Sequence, residues 1–290
     1  MSMENILELQ QVSKTFPKSN FTLEDVTFSL PYGAILGFVG ENGAGKTTTI
    51  GCILNTIKKD SGTIKLFGQE MLDADTSLRE KIGVVYDGDN FPAYWTAKQL
   101  SEVMEGLYTQ WDNSLFQKYL EDFRLPAKQK IKHYSKGMTM KLAIAAALAH
   151  HPELLILDEA TSGLDPIMRD EMLDVFLEFV QEENHSILLS SHITSDLEKV
   201  ADYITFIHNG KLIMTVSKND LAYNYAVMRC KESQFLTVDP NDILAYRKRD
   251  FQIDVLVSNG KEAQRKYKGV VIDHVSVDEI MLLLVKGERV

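Results

Sequence analysis

Gly40-Glu41-Asn42-Gly43-Ala44-Gly45-Lys46-Thr47 follows the apolar run Ile35–Val39 and opens into a helical stretch through Thr48–Leu54. Strand, glycine-rich turn and helix come in that order, and the segment fits G-x-x-x-x-G-K-[ST] at every fixed position. Gly40, Gly43 and Gly45 let the backbone turn tightly, so successive N–H groups converge on phosphate oxygens. Asn42, Ala44 and Thr48 belong to the same phosphate-binding set. The helix N-terminus adds partial positive charge. Lys46 is expected to reach the β and γ phosphates, and the Thr47 hydroxyl to ligate Mg²⁺.

Leu154-Leu155-Ile156-Leu157-Asp158-Glu159 is a buried-type strand ending in two carboxylates. At the carboxyl edge of a sheet they lie beside the phosphate loop. Asp158 is expected to hold Mg²⁺ and Glu159 to polarise the attacking water. Ile187-Leu188-Leu189-Ser190-Ser191-His192 is another apolar run, which brings His192 to the same edge as a γ-phosphate contact. His133, His150, His151, His185, His208 and His274 lack such company and read as surface or core residues.

Working outward, Ile35–Val39, Ile82–Tyr86, Leu154–Leu157, Ile187–Leu189 and Tyr203–Ile207 are short, apolar and rich in β-branched residues, with helical patterns between several of them. That alternation indicates an α/β core around a mostly parallel sheet. Ile6–Val12 and Asp25–Leu30 alternate apolar and polar residues instead, as antiparallel strands with one wet face do. Asp89–Ala149 is mostly helical, with Thr96 and Ser135 as N-caps. It carries both tryptophans, Trp95 and Trp111, and reads as a helical subdomain inserted between two core strands. After about Asp220 come short strand candidates, Ile253–Val257 and Gly269–Ile272, and a terminal helix, Val277–Val285.

The chain has 290 residues and a formal net charge of −10, with 44% hydrophobic and 25% charged residues. This composition excludes disorder and argues against broad nucleic-acid binding, which needs basic surface. No apolar run approaches the roughly 18–20 residues of a membrane span; Leu142–Ala149 and Ile280–Val285 are far too short. Met1–Asn5 carries no secretory pattern. Cys52 and Cys230 lack metal-ligand spacing and read as reduced thiols. A soluble, cytoplasmic chain is expected.

Tyr134-Ser135-Lys136-Gly137-Met138 lies between loop and carboxylate strand, and Ala160-Thr161-Ser162-Gly163-Leu164-Asp165-Pro166 just after that strand. Together with the phosphate loop, Asp158–Glu159 and His192, they resemble the ATP-binding subunits of ABC transporters over about Ile6–Val216. The pentapeptide is similar to the family's LSGGQ signature in a form associated with bacterial ABC-2-type exporters, and Ser162–Asp165 to its D-loop. The resemblance implies a P-loop NTPase (ABC ATPase) core with a parallel sheet. An N-terminal antiparallel β subdomain and an inserted helical subdomain, 89–150, complete a unit over 1–220. A small α+β extension follows over 221–290, for packing, dimerisation or regulation. Phe16 would stack on adenine. Ser135 and Gly137 would bind the γ-phosphate of ATP held by an opposite subunit, in a homodimer or a heterodimer with a second ABC ATPase. Asp87 stands where the family has a glutamine that touches Mg²⁺.

More narrowly, the chain is similar to Gram-positive exporter ATPases of the YtrB-like group and to those serving staphylococcal export of phenol-soluble modulins. The implied role is an ATP-hydrolysing motor at the inner face of the membrane, driving a separate multi-span permease for amphipathic or antimicrobial peptides. The alternative is a soluble ABC ATPase acting as a nucleotide-dependent switch. DNA-repair members insert a long coiled coil between loop and signature, whereas only 88 residues separate Lys46 from Ser135 here.

Overall fold

The computed structural model describes residues 4–70, 76–88 and 90–289, so Asp89, the expected start of the helical subdomain, and Met1–Met3 lie outside the described residues. Ten strands among the described residues form one sheet: β1 (Asn5–Thr15), β2 (Thr22–Pro31), β3 (Ile35–Val39), β4 (Ser61–Leu66), β5 (Gln69–Glu70), β6 (Ile82–Val85), β7 (Leu154–Asp158), β8 (Ser186–Ser191), β9 (Tyr203–His208) and β10 (Lys211–Ser217). Their order is β5-β4-β1-β2-β10-β9-β3-β8-β7-β6. From β9 to β6 the strands run parallel. Every residue of β3, β7 and β8 is buried, because helices cover one face and the antiparallel strands with the helix Lys46–Ile53 cover the other. β1, β2, β4 and β5 pair antiparallel, and in β2 buried and exposed residues alternate. A single parallel pair, Lys211 with Glu24, joins the two halves.

The sequence reading passes over β4, β5 and β10. β4 begins on Ser61-Gly62, which look like turn residues. β10 follows Asn209-Gly210, a two-residue hairpin turn with φ of +47° and +76°. That turn fixes more than its own strands. The Gly210 N–H donates to Ala44 O, and Gly210 O accepts from the Glu24 N–H, both at 2.8 Å. A Cβ at Gly210 would come 1.8 Å from Thr22 O, so only glycine fits.

Between β6 and β7 lie helices Ala97–Leu107, Asn113–Asp122 and Lys136–Leu148. Thr96 caps the first through a reciprocal box with Gln99, Asp112 the second and Ser135 the third. Leu100, Phe116, Leu120 and Leu142 form their shared core. Met140, Ile144 and Leu148, on the same third helix, pack instead into the core beneath the parallel sheet. Burial on two sides explains the apolar run Leu142–Ala149, which has no wet face.

The last segment forms a separate antiparallel sheet of β11 (Ala226–Cys230), β12 (Ala245–Lys248), β13 (Ile253–Val257) and β14 (Val271–His274), ordered β12-β13-β11-β14. β14 starts two residues later than the sequence suggests, since Gly269 is spent on a turn at φ +88°. The helix Val277–Lys286 then inserts Val277, Ile280 and Leu283 into the main core beside Leu197 and Val200. Its Val277 N–H donates to Glu198 Oε1 at 2.6 Å.

His150 is a core residue, 2% exposed. It stacks on Tyr108 at 4.1 Å, with its ring nitrogens 3.2 Å from Ile82 O and 3.4 Å from Ala146 O. Burial pushes its imidazole below the ordinary value, outweighing the two carbonyls that favour the charged ring. The unfolded chain therefore takes up this proton first. Stability contributed here rises with pH up to about 6.5, levels off above, and falls as pH drops toward the depressed folded value. A His150→Phe variant keeps the stack and has no proton to bind, so its Tm should fall less than the parent's between about pH 7 and pH 5. Parallel Tm curves would contradict this.

Candidate functional site

The carboxyl ends of β3, β7 and β8 meet at one edge of the parallel sheet. After β3 the chain closes so tightly that a Cβ at Gly40 would lie 2.5 Å from Ile207 O. Gly43 and Gly45 then take φ of +82° and +116°, and the helix Lys46–Ile53 begins. Lys46 turns back over its own loop, 6% exposed, and Nζ donates to Gly40 O at 2.7 Å and Glu41 O at 3.3 Å. Thr47 Oγ1 donates to Asp158 Oδ2, and Ser190 Oγ to Asp158 Oδ1, both at 2.8 Å.

Glu159 has left-handed backbone, φ +55°, a conformation that costs a non-glycine residue roughly 1–2 kcal/mol. The turn is held by the Glu159 N–H donating to Ser190 O at 3.0 Å. It aims the carboxylate across the sheet edge. Oε2 lies 2.6 Å from His192 Nδ1 and accepts the His192 N–H at 3.3 Å. Oε1 lies 3.2 Å from Lys46 Nζ, close enough for an ion pair but without hydrogen-bond alignment, and is left buried with no hydrogen-bond donor.

The pocket over these groups measures about 630 Å³, and its wall includes Phe21, Asn42, Thr48, Tyr86 and Asp87. The structure thus brings together Lys46, Thr47, Asp158, Glu159 and His192, with Gly40 and Ala44 buried behind the loop. Phe16 is not on this wall. It is half-buried beside Phe21, ring centroids 6.3 Å apart, and of these two phenylalanines it is Phe21 that faces the pocket. Asp87 reaches the wall, but its Oδ1 lies 3.2 Å from Lys136 Nζ. Ser135 and Gly137 lie apart from this chain's own pocket. Ser135 is exposed at the helix start, its Oγ accepting the Met138 N–H at 3.2 Å, and Gly137 is packed against Met168.

Sequence reasoning missed Ser190, Phe21 and Lys136. Ser190 had a usable signal, a hydroxyl in an otherwise apolar strand two residues before His192. The other two become visible only when distant segments meet.

Residues 23–162 match the family model described as ABC transporter. The bacitracin transport ATP-binding protein BcrA of Bacillus licheniformis is 32% identical over 87% of this chain and 81% of its own length. The ABC transporter ATP-binding protein YtrB of Bacillus subtilis is 31% identical over 76% of this chain and 75% of its own. Among solved structures, an ATP-binding subunit of an ABC transporter superposes with a TM-score of 0.68 at 28% identity, covering 74% of this chain and 91% of that one.

The two aromatics are separable by experiment. If Phe16 is the adenine platform, Phe16→Ala weakens ATP binding by about 1–3 kcal/mol, the usual worth of a base stack, and leaves Tm nearly unchanged. Calorimetric titration checks this; full affinity in Phe16→Ala with loss in Phe21→Ala would assign the platform to Phe21.

Proposed function

The chain belongs to the ABC transporter family of ATP-binding subunits, and we propose that it is the ATP-hydrolysing motor of a membrane exporter for amphipathic or antimicrobial peptides. One observation carries the catalytic reading: three strand ends deliver a buried ammonium and two buried carboxylates to a single pocket, with the more exposed His192 imidazole paired to Glu159 beside it. The cargo class rests on relatives such as BcrA, whose name is bacitracin transport.

Loop N–H groups and the helix N-terminus bind the phosphates, with Lys46 swinging from Gly40 O onto them. Mg²⁺ fits the donors present. Asp158 and Glu159 carry two negative charges against one on Lys46, so a polyphosphate needs a further cation to settle beside them. Thr47 and Asp158 offer hard oxygens, and Mg²⁺ characteristically takes one or two such ligands plus phosphates. Bound there, Mg²⁺ would neutralise charge on the β and γ phosphates. Glu159 Oε1, free of hydrogen-bond donors, orients a water and accepts its proton as the water oxygen bonds to the γ-phosphorus and the bond from that phosphorus to the β,γ-bridging oxygen breaks, releasing ADP and phosphate. His192 holds Oε2 and steadies the carboxylate.

Ser135, exposed and remote from its own pocket, serves a second chain's nucleotide, so two chains enclose two ATP molecules head to tail. No helix among the described residues is long and apolar enough to cross a membrane. The chain works at the cytoplasmic face of the membrane, and a separate multi-span permease supplies the path.

Glu159→Gln keeps the shape and removes the base. It should retain ATP affinity, lose hydrolysis by at least about a hundredfold and accumulate as an ATP-bound dimer. Sedimentation with saturating Mg-ATP checks it; a monomer would count against the shared site.

A further inference from the structure

Lys136 is the first residue of the helix Lys136–Leu148, directly after the cap Ser135. A cation there faces the positive end of the helix, where acidic side chains are favoured. Packing does not account for it, since about half of the side chain is exposed, 49%. What offsets the unfavourable charge is Asp87, whose Oδ1 lies 3.2 Å from Nζ. Asp87 lines the pocket that holds Thr47 and Asp158, and also an adjoining cleft of about 400 Å³ under the helical unit, beside Phe91 and Tyr134.

The other side of Lys136 rests on Gly163. A Cβ at Gly163 would come 2.9 Å from Nζ and 3.3 Å from Cδ and Cε. One residue on, a Cβ at Gly137 would come 2.5 Å from Met168 Sδ. Three segments distant in sequence therefore meet at one ammonium group: the loop after β6, the start of the helix that presents Ser135, and the turn after Glu159.

We propose that Lys136 is a positioning residue for ATP hydrolysis, its ion pair with Asp87 setting the angle at which Ser135 is presented. Asp87 then acts through Lys136 and not through the metal. A glutamine at this position would offer Lys136 only a neutral oxygen, whereas aspartate also cancels charge at the positive helix end. This deepens the ATPase reading and rests on it. An ion pair half open to solvent sustains only a modest effect, about two- to fivefold in a rate or an equilibrium.

The test is a double-mutant cycle in ATP turnover with Asp87→Asn, Lys136→Met, both together, and the exchanged pair Asp87→Lys with Lys136→Asp. Each single variant should lower kcat about two- to fivefold with little change in KM, and the double should be no worse than either single. The exchanged pair should regain most of the loss. Multiplying effects in the double variant, or no recovery on exchange, would overturn the proposal. So would a changed ratio of ATP affinity with Mg²⁺ to that with chelator in Asp87→Asn, because it would put Asp87 on the metal. Amide exchange over 135–139 without nucleotide gives a reading independent of catalysis. It should quicken about two- to fivefold in Asp87→Asn, and unchanged exchange would refute the latch. A parent protein without Mg²⁺-dependent hydrolysis would sink the ATPase reading itself, leaving amide exchange to judge the pair.

Discussion

The structure turns on how two adjacent carboxylates at the end of β7 are accommodated out of water. Asp158 is 4% exposed and Glu159 9%, and buried charge is tolerated only when paired and hydrogen-bonded. Asp158 is satisfied by hydroxyls from the phosphate-loop helix and from β8. Glu159 is satisfied on one oxygen by His192 and faces Lys46 with the other. Both arrangements require β3, β7 and β8 to be neighbours in parallel register, so the sheet order is what the chemistry demands. The hairpin turn at Asn209-Gly210 extends the constraint outward, tying the loop carbonyl of Ala44 to the antiparallel half through β2.

Much of this was legible in sequence, for local reasons. β3, β7 and β8 are continuous apolar runs because both faces are covered, while β2 alternates because one face is wet. Thr96 and Ser135 could be read as caps because capping is satisfied within four residues. Lys46, Thr47, Asp158, Glu159 and His192 were found because each sits at a strand end or a motif position. What escaped depends on long-range pairing. β11 and β12 carry few signals of their own and gain order from β13. Phe21 faces the pocket and Phe16 stands behind it, a difference set by how the β1–β2 connection folds over Gly45. Asp87 was read against a family pattern, and its partner Lys136 lies across the helical unit.

The C-terminal segment is not a loose appendage. Ile280 and Leu283 share a core with Leu197 and Val200, on the helix that begins two residues after His192. The Val277 N–H bond to Glu198 fixes the end of that same helix. Packed side chains and one hydrogen bond to a carboxylate thus join the extension to the helix that follows His192.

On the proposed reading each hydrolytic site is shared between two chains, Lys46 and Glu159 coming from one and Ser135 from the other. Mixing two inactive variants tests it directly. Lys46→Ala removes the phosphate ammonium, and Ser135→Arg blocks the group presented to the partner. A mixed dimer contains one site with neither change. Mg-ATP hydrolysis, absent from each variant alone, should appear when the two are mixed. A mixture as inactive as its components would contradict it.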